Sequence, residues 1–234
     1  GRDGVDGFEA PPMSIVVEPE WLSASDLSAL RAHGRRRTAR AGSTIFVEGD
    51  DPSDVMIIES GDVKVTTVAA NGNEVVLDVL GAGELLGELS AIDGIDRSAT
   101  ATALTDVELT TVPVEVFWQF LQDHPMSMGA LLAVVVRRLR IANRRQLEFS
   151  ATDAMGRLCS RLDELADRSG TAGADESVHI ELRVNQTELA QWCGMSREAV
   201  VKALRKLRQL GWVSSGDGRI VIDDRAAVRR RAQM

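Results

Sequence analysis

The sequence predicts an α+β chain in three stretches: a roll of short β-strands, one long helix, and a compact helical unit closed by a β-hairpin. Three observations carry this. Short apolar runs cut by glycine fill Thr44 to Pro113. After Pro125, apolar residues recur at alternating spacings of three and four. From Asn185 to Val213 the pattern is helix, glycine corner, helix. The 234 residues suffice for two ordinary domains, each with its own core, and contents of 44% hydrophobic and 26% charged suit a globular chain.

Residues 1–19 read as an N-terminal tail, either a natural disordered segment or vector residues ahead of a start at Met13. A first domain is expected over 20–124. Trp21 to Arg31 spaces Leu22, Leu27 and Leu30 among polar residues, with Ser23 and Ser25 as caps, and reads as a short helix. The basic triplet Arg35-Arg36-Arg37 reads as a solvated face. Strands follow at Ile45 to Val47, Val55 to Ile58, Val63 to Thr67 and Val75 to Val79, the last two joined by Asn71-Gly72, whose residues tolerate positive φ. Ala99 to Leu104 and Val107 to Val112 complete the roll, and a helical stretch begins near Val114.

Pro125 suits the first turn of the long helix, expected over 125–150. Leu132, Val135, Leu139, Ala142, Gln146 and Phe149 form a heptad-like stripe, with the arginines of this segment mostly off it. Such a stripe packs either on the helix's own domain or on a second copy, and a rod of about seven turns favours a dimer seam. The last domain, 151–234, opens at Thr152-Asp153, a cap for the helix carrying Leu158, Leu162 and Leu165, and Ser169 to Gly173 reads as a loop.

Composition removes several function classes. The longest apolar run, Ala130 to Val136, is far too short to span a bilayer, and no secretory signal is visible. No membrane role and a cytoplasmic location are expected. Cys159 and Cys193 stand alone, which argues against a disulfide scaffold or a metal site. The net charge of −8 is unevenly spread. Residues 1–124 hold 8 basic against 22 acidic residues, whereas 125–150 hold 5 against 1 and 151–234 hold 14 against 12. Phosphate attraction is a local field, so an acidic first domain should lie away from any nucleic acid that the rest binds.

Asn185 and Glu188 have capping-box spacing, opening a helix through Trp192. Cys193-Gly194-Met195 makes the corner, and Ser196 caps a second helix with Val200, Ala203, Leu204 and Leu207 on its buried face. Arg197, Glu198 and Lys202 stand opposite, in its first two turns, as a helix entering the major groove requires. Arginine pairs with guanine O6 and N7, and glutamate accepts from cytosine N4. Gly211 to Val213 and Arg219 to Ile222, around Ser215 to Gly218, read as a hairpin wing.

A second constellation lies earlier. Gly87 starts a short helix whose N–H groups face an anion. Glu88 is an acceptor for a ribose hydroxyl, and Arg97 a charge-assisted donor to phosphate. The run Gly83-x-x-x-Gly87-Glu88-Leu89, seven further residues, then Arg97-Ser98-Ala99 resembles the phosphate-binding cassette of cyclic-nucleotide-binding domains. Together with the long helix and Ser196-Arg197-Glu198, the chain from about residue 20 onward resembles the catabolite activator (CRP–FNR) family.

That resemblance implies a β-roll cyclic-nucleotide-binding domain, a dimerisation helix and a winged helix-turn-helix, working as a homodimeric, non-enzymatic transcription regulator on double-stranded DNA with a palindromic operator. It implies cAMP as effector, with cGMP the alternative, and RNA polymerase as a partner. Glu88 would take the ribose hydroxyl, Arg97 and the backbone of Gly87 and Leu89 the cyclic phosphate, and Ser98 the phosphate or base. Ser196, Arg197, Glu198 and Lys202 match the DNA-reading positions, although arginine is common where Lys202 stands. Ala142-Asn143 match a Thr-Ser pair that meets adenine across the dimer in the best-known member, leaving any polar contact to Asn143 or Ser98. Residues 1–150 have no cysteine for an iron–sulfur cluster, and His33, His124 and His179 lack a haem-ligand pattern; all three read as surface or capping residues. Phe149 to Asp153 would hinge the two domains. On residues alone, a DNA binder indifferent to nucleotide and a nucleotide-sensing module that binds no DNA remain open.

Overall fold

The structure is a computed structural model that describes residues 22–70, 72, 74–173, 177–181, 185–216 and 219–233. The tail 1–19, Asn71 and the wing residues Asp217 and Gly218 lie outside these. Helix α1 (Ala24–Ala32) begins at Ser23, whose hydroxyl accepts from the Asp26 N–H at 3.1 Å. The roll is two four-stranded antiparallel sheets. One runs β1 (Arg35–Ala39), β8 (Val107–Pro113), β3 (Asp54–Ser60), β6 (Leu85–Leu86); the other runs β2 (Thr44–Phe46), β7 (Thr100–Ala103), β4 (Val63–Val68), β5 (Glu74–Leu80). Ile58, Val63, Leu80, Leu86, Ala101 and Leu109 fill the space between them.

The basic triplet is a solvated face, as read, and it also forms a strand that the sequence did not announce. Arg35, Arg36 and Arg37 are exposed, but their backbone is strand β1, paired with Thr111, Thr110 and Leu109. Four of its five residues are exposed, so this edge strand carries no apolar alternation to announce it.

Short helix α2 (Glu88–Asp93) follows β6, α3 (Val114–Asp123) follows Pro113, and α4 (Pro125–Ala151) is the long rod of 27 residues. The stripe expected as a dimer seam is turned from the roll core at Leu132 and Leu139. Leu131 and Val134 are buried in the core under α1 and α3, while Leu132 is 62% and Leu139 58% exposed. Helical spacing explains the split: Leu131, Val134, Arg138, Ile141 and Arg145 share one face, with Leu132, Leu139 and Gln146 about a third of a turn round. Phe149 lies in α4, and its side chain is outside the described residues.

Asp153 caps α5 (Ala154–Ser169) by accepting from the Gly156 N–H at 2.9 Å. The C-terminal unit then adds β9 (Thr171–Ala172), β10 (Val178–Glu181), α6 (Gln186–Cys193), α7 (Arg197–Gln209), β11 (Val213–Gly216), β12 (Arg219–Ile222) and α8 (Arg225–Ala232). The stretch read as a loop, Ser169 to Gly173, therefore holds the two-residue strand β9. Polar pairs staple α8 to α5: Arg225 and Arg229 reach Asp163 and Asp167, and Arg231 reaches Asp153 at 2.5 Å. Leu158, Leu162, Ile180, Leu204, Leu207 and Ile222 form the core, which also takes in Val76 of β5, so the roll and the C-terminal unit share apolar contact.

Replacing Asp153 by alanine should cost about 1 kcal/mol of unfolding free energy at neutral pH, read from denaturant midpoints. The Gly156 N–H, and to a lesser degree Arg231, hold its carboxyl below the ordinary value of 3.8. A depressed folded value means stability present above the unfolded value and lost as pH falls, so wild type and variant should converge in acid.

Candidate nucleotide pocket and nucleic-acid interface

Gly87 sits at φ 81°, which glycine adopts without strain, and this lets the chain turn from β6 directly into α2. A Cβ here would lie 2.2 Å from Arg97 Nη1, so the arginine occupies the space that only glycine leaves open. Arg97, 4% exposed, donates from Nη1 to the Gly87 carbonyl at 2.9 Å and from Nη2 to the Asp54 carbonyl at 2.7 Å and its carboxylate at 2.8 Å. Its guanidinium lies over the Phe46 ring at 4.5 Å. Backbone bonds bracket the residue, with the Arg97 N–H donating to Asp50 and its carbonyl accepting from Gly49. Trp118 of α3 secures α2 from behind by donating to the Ala91 carbonyl at 2.9 Å.

Glu88 is fully buried, and one of its oxygens, Oε1, pairs with Arg138 of α4, which also donates to the Leu85 carbonyl at 2.8 Å. Burial pushes the Glu88 carboxyl above its ordinary value of 4.5, against the pull of Arg138. Two buried atoms have no hydrogen-bond partner here: Glu88 Oε2, an acceptor, and Arg97 Nε, a donor. A hydroxyl would satisfy the first and an anion the second, which is the chemistry of a ribose fused to a cyclic phosphate.

The structure brings Gly87, Glu88 and Arg97 together. Leu89 and Ser98 flank them, both exposed. Ala142 and Asn143 do not join them within the chain; both are exposed on α4, beside Leu139. Sequence reasoning missed Asp54, Phe46 and Arg138. Arg138 had a readable signal, since it is a charge on the helix face of Leu131, Val134 and Ile141. Asp54 and Phe46 had none, because only the fold brings their strands to Arg97. A cleft of about 1500 Å³ opens elsewhere, between the roll, α4 and the C-terminal unit, and Arg138 and Arg145 are among the residues that line it.

In the C-terminal unit, Asn185 and Glu188 form the reciprocal capping box of α6, and Gly194 at φ 59° makes the corner. The Ser196 hydroxyl accepts from the Ala199 N–H at 3.2 Å at the start of α7. Val200, Ala203, Leu204 and Leu207 are buried, whereas Ser196, Arg197, Glu198 and Lys202 are exposed on the outer face. Bonds from its own backbone N–H and from Ser196 hold the Glu198 carboxyl below the usual value. Strands β11 and β12 pair as the wing beside α7. No helix among the described residues is long and apolar enough to cross a membrane.

Glu88→Gln should reverse the pH trend expected for Asp153. A raised folded value means stability present below the unfolded value and lost as pH rises through the folded one. Wild type should therefore lose stability relative to Glu88→Gln as pH rises from about 4.5, measured by denaturant midpoints across that range.

Two family models match stretches of the chain, one in each half. Residues 36–124 match the cyclic nucleotide-binding domain, and residues 156–231 match the Crp-like helix-turn-helix domain. A CRP-like cAMP-activated global transcriptional regulator from Mycobacterium tuberculosis is 35% identical over 192 residues, covering 82% of this chain and 85% of the relative. A cyclic AMP receptor protein from Thermus thermophilus is 30% identical over 211 residues, covering 90% and 94%. Among solved structures, FixK2 from Bradyrhizobium japonicum shares the fold with a TM-score of 0.76 at 21% identity, covering 84% of this chain and 96% of that one. The members of this group are transcription regulators, not enzymes, and the chain belongs to the CRP–FNR family of cyclic-nucleotide-binding, helix-turn-helix transcription regulators.

Proposed function

We propose that this regulator works as a homodimer that binds cAMP and recognises a palindromic operator in double-stranded DNA. The observation that carries the effector reading is the pair of stranded buried atoms, Glu88 Oε2 and Arg97 Nε, in a glycine-led cassette. Glu88 would accept from the ribose 2′-hydroxyl. Arg97, with the N–H groups of Gly87 and Leu89, would hold the cyclic phosphate, and Ser98 lies beside them. The names of the relatives from Mycobacterium tuberculosis and Thermus thermophilus support cAMP in particular.

The stripe of Leu132, Val135, Leu139, Ala142, Gln146 and Phe149, exposed at Leu132, Leu139, Ala142 and Gln146, would form the dimer seam. Each large apolar side chain buried there contributes about 1.5–3 kcal/mol, so a seam built on Leu132, Val135 and Leu139 can hold two chains together. Asn143, beside that stripe, would reach the partner's nucleotide base, since Ala142 has no hydroxyl to offer. In DNA binding, Ser196 would anchor the start of α7 while Arg197 and Glu198 read base edges. Lys202 would supply a point charge where a guanidinium would make two parallel bonds. Domain limits of 20–124, 125–150 and 151–234, with the hinge at 149–153, fit this division of labour. Cytoplasmic action alongside RNA polymerase, without a metal, haem or iron–sulfur cluster, follows from the same reading.

The decisive experiment is fluorescence anisotropy of a labelled palindromic duplex at fixed salt, without nucleotide, with cAMP and with cGMP. Tightening with cAMP is expected. Equal binding in every arm would select a regulator indifferent to nucleotide, a reading that the missing hydroxyl at Ala142 favours. Arg97→Leu should lower cAMP affinity by about 1.5–3 kcal/mol, the worth of hydrogen bonds to a charged group, as read by calorimetry. Leu132→Glu with Leu139→Glu should convert dimer to monomer in analytical ultracentrifugation.

A further inference from the structure

Arg145 joins both halves of the molecule at one guanidinium. Its Nη1 donates to the Leu77 carbonyl of β5, in the roll. Its Nη2 donates to Glu164 of α5, in the C-terminal unit, at 2.8 Å, and reaches the Asp78 carboxylate of β5 at 3.5 Å. The Trp192 ring of α6 lies 6.0 Å from the guanidinium carbon. The Arg145 side chain is only 16% exposed, so water and salt screen these contacts far less than on an open surface.

The surroundings make the contact a built one. Arg161, buried, pairs with Glu148 of α4 and Glu164 of α5, so Glu164 serves two arginines. Lys64 of β4 reaches Glu188 of α6 at 3.4 Å, and Val79 of β5 packs against the core that Trp192 and Leu189 share. Arg138 stands two turns back along the same face of α4, roughly 10 Å away along the axis, and pairs with Glu88. One unbroken helix thus carries the cation that grips the nucleotide pocket and the cation that grips roll and DNA-binding unit together.

We propose that Arg145 is the positioning residue through which nucleotide occupancy at Glu88 alters DNA affinity. The proposal rests on the pocket reading above. A hydroxyl donating to the free Glu88 Oε2 draws on the same carboxylate charge that Arg138 grips through Oε1, and changes how firmly α4 is held against the roll at that point. Two turns on, Arg145 has partners on both units. A shift of α4 relative to β5 cannot preserve its bonds to Leu77 and to Glu164 together, so the DNA-binding unit takes a new position. A ligand moves an equilibrium only through such a difference in contacts between two arrangements.

The test uses the full chain, cAMP and a labelled palindromic duplex, in wild type, Arg145→Ala, Glu164→Gln and the double variant. Calorimetry gives cAMP affinity, and anisotropy gives the ratio of DNA affinities with and without cAMP. Arg145→Ala should leave cAMP affinity within about threefold of wild type while the DNA ratio shrinks by about tenfold, inside the usual range of coupling between sites. Glu164→Gln should shrink the ratio in the same direction, and the double variant no further than Arg145→Ala, because the two residues share one bond. A merely structural loss would weaken nucleotide and DNA binding alike. If Arg145→Ala does not fold, Glu164→Gln with an unaltered ratio overturns the proposal. Full coupling retained in the folded variants overturns it without touching the pocket. Wild type that binds no cAMP removes the pocket reading, and this proposal with it.

Discussion

A carboxylate with no exposed surface needs a counter-charge, and Glu88 finds its own in Arg138 of α4. Burying an isolated ion is costly enough that the pairing constrains the architecture around it. The long helix must run past the mouth of the roll with an arginine at that height. It must present Leu131 and Val134 inward to hold that position, which leaves Leu132 and Leu139, about a third of a turn round, uncovered. The Glu88–Arg138 pair, the rod and the exposed apolar stripe are therefore consequences of one another, since turning α4 to bury Leu132 and Leu139 would pull Arg138 off Glu88.

The cassette follows the same economy on the other side. Arg97 has no room unless residue 87 lacks a side chain, and it has no counter-charge unless Asp54 is carried to it by β3. The guanidinium is thus held in place by two carbonyls, a carboxylate and an aromatic face before any ligand is considered, and its Nε–H is left without a partner. Preorganisation of this kind lowers the ordering cost of binding an anion.

Local signals were legible where a short segment sets its own structure. Glycines at positive φ, the Asn185–Glu188 box, Ser196 as a cap and the stripe on α4 all declare themselves within a few residues, and the family resemblance followed from them. What stayed hidden depends on distant pairing. Strand β1 opens with three exposed arginines and shows no alternation, and β10 and α8 are short elements whose stability comes from β12 and α5. Phe46 and Asp54 meet Arg97 only because β2 and β3 end beside it. The arginines of α4 could be counted in the sequence, but which of them turn inward depends on the core beneath the helix.

The stapling of α8 has a consequence for how the molecule meets a polyelectrolyte. Residues 151–234 hold 14 basic side chains, yet Arg161, Arg225, Arg229 and Arg231 are neutralised by acids of the same unit, and Arg157 donates to the Cys193 and Thr152 carbonyls. Those cations are committed to holding helices together and displace few condensed counterions from a duplex. Binding free energy should then fall with the logarithm of salt concentration more gently than a tally of arginines implies. A larger share of it would then come from fit than from neutralised phosphates.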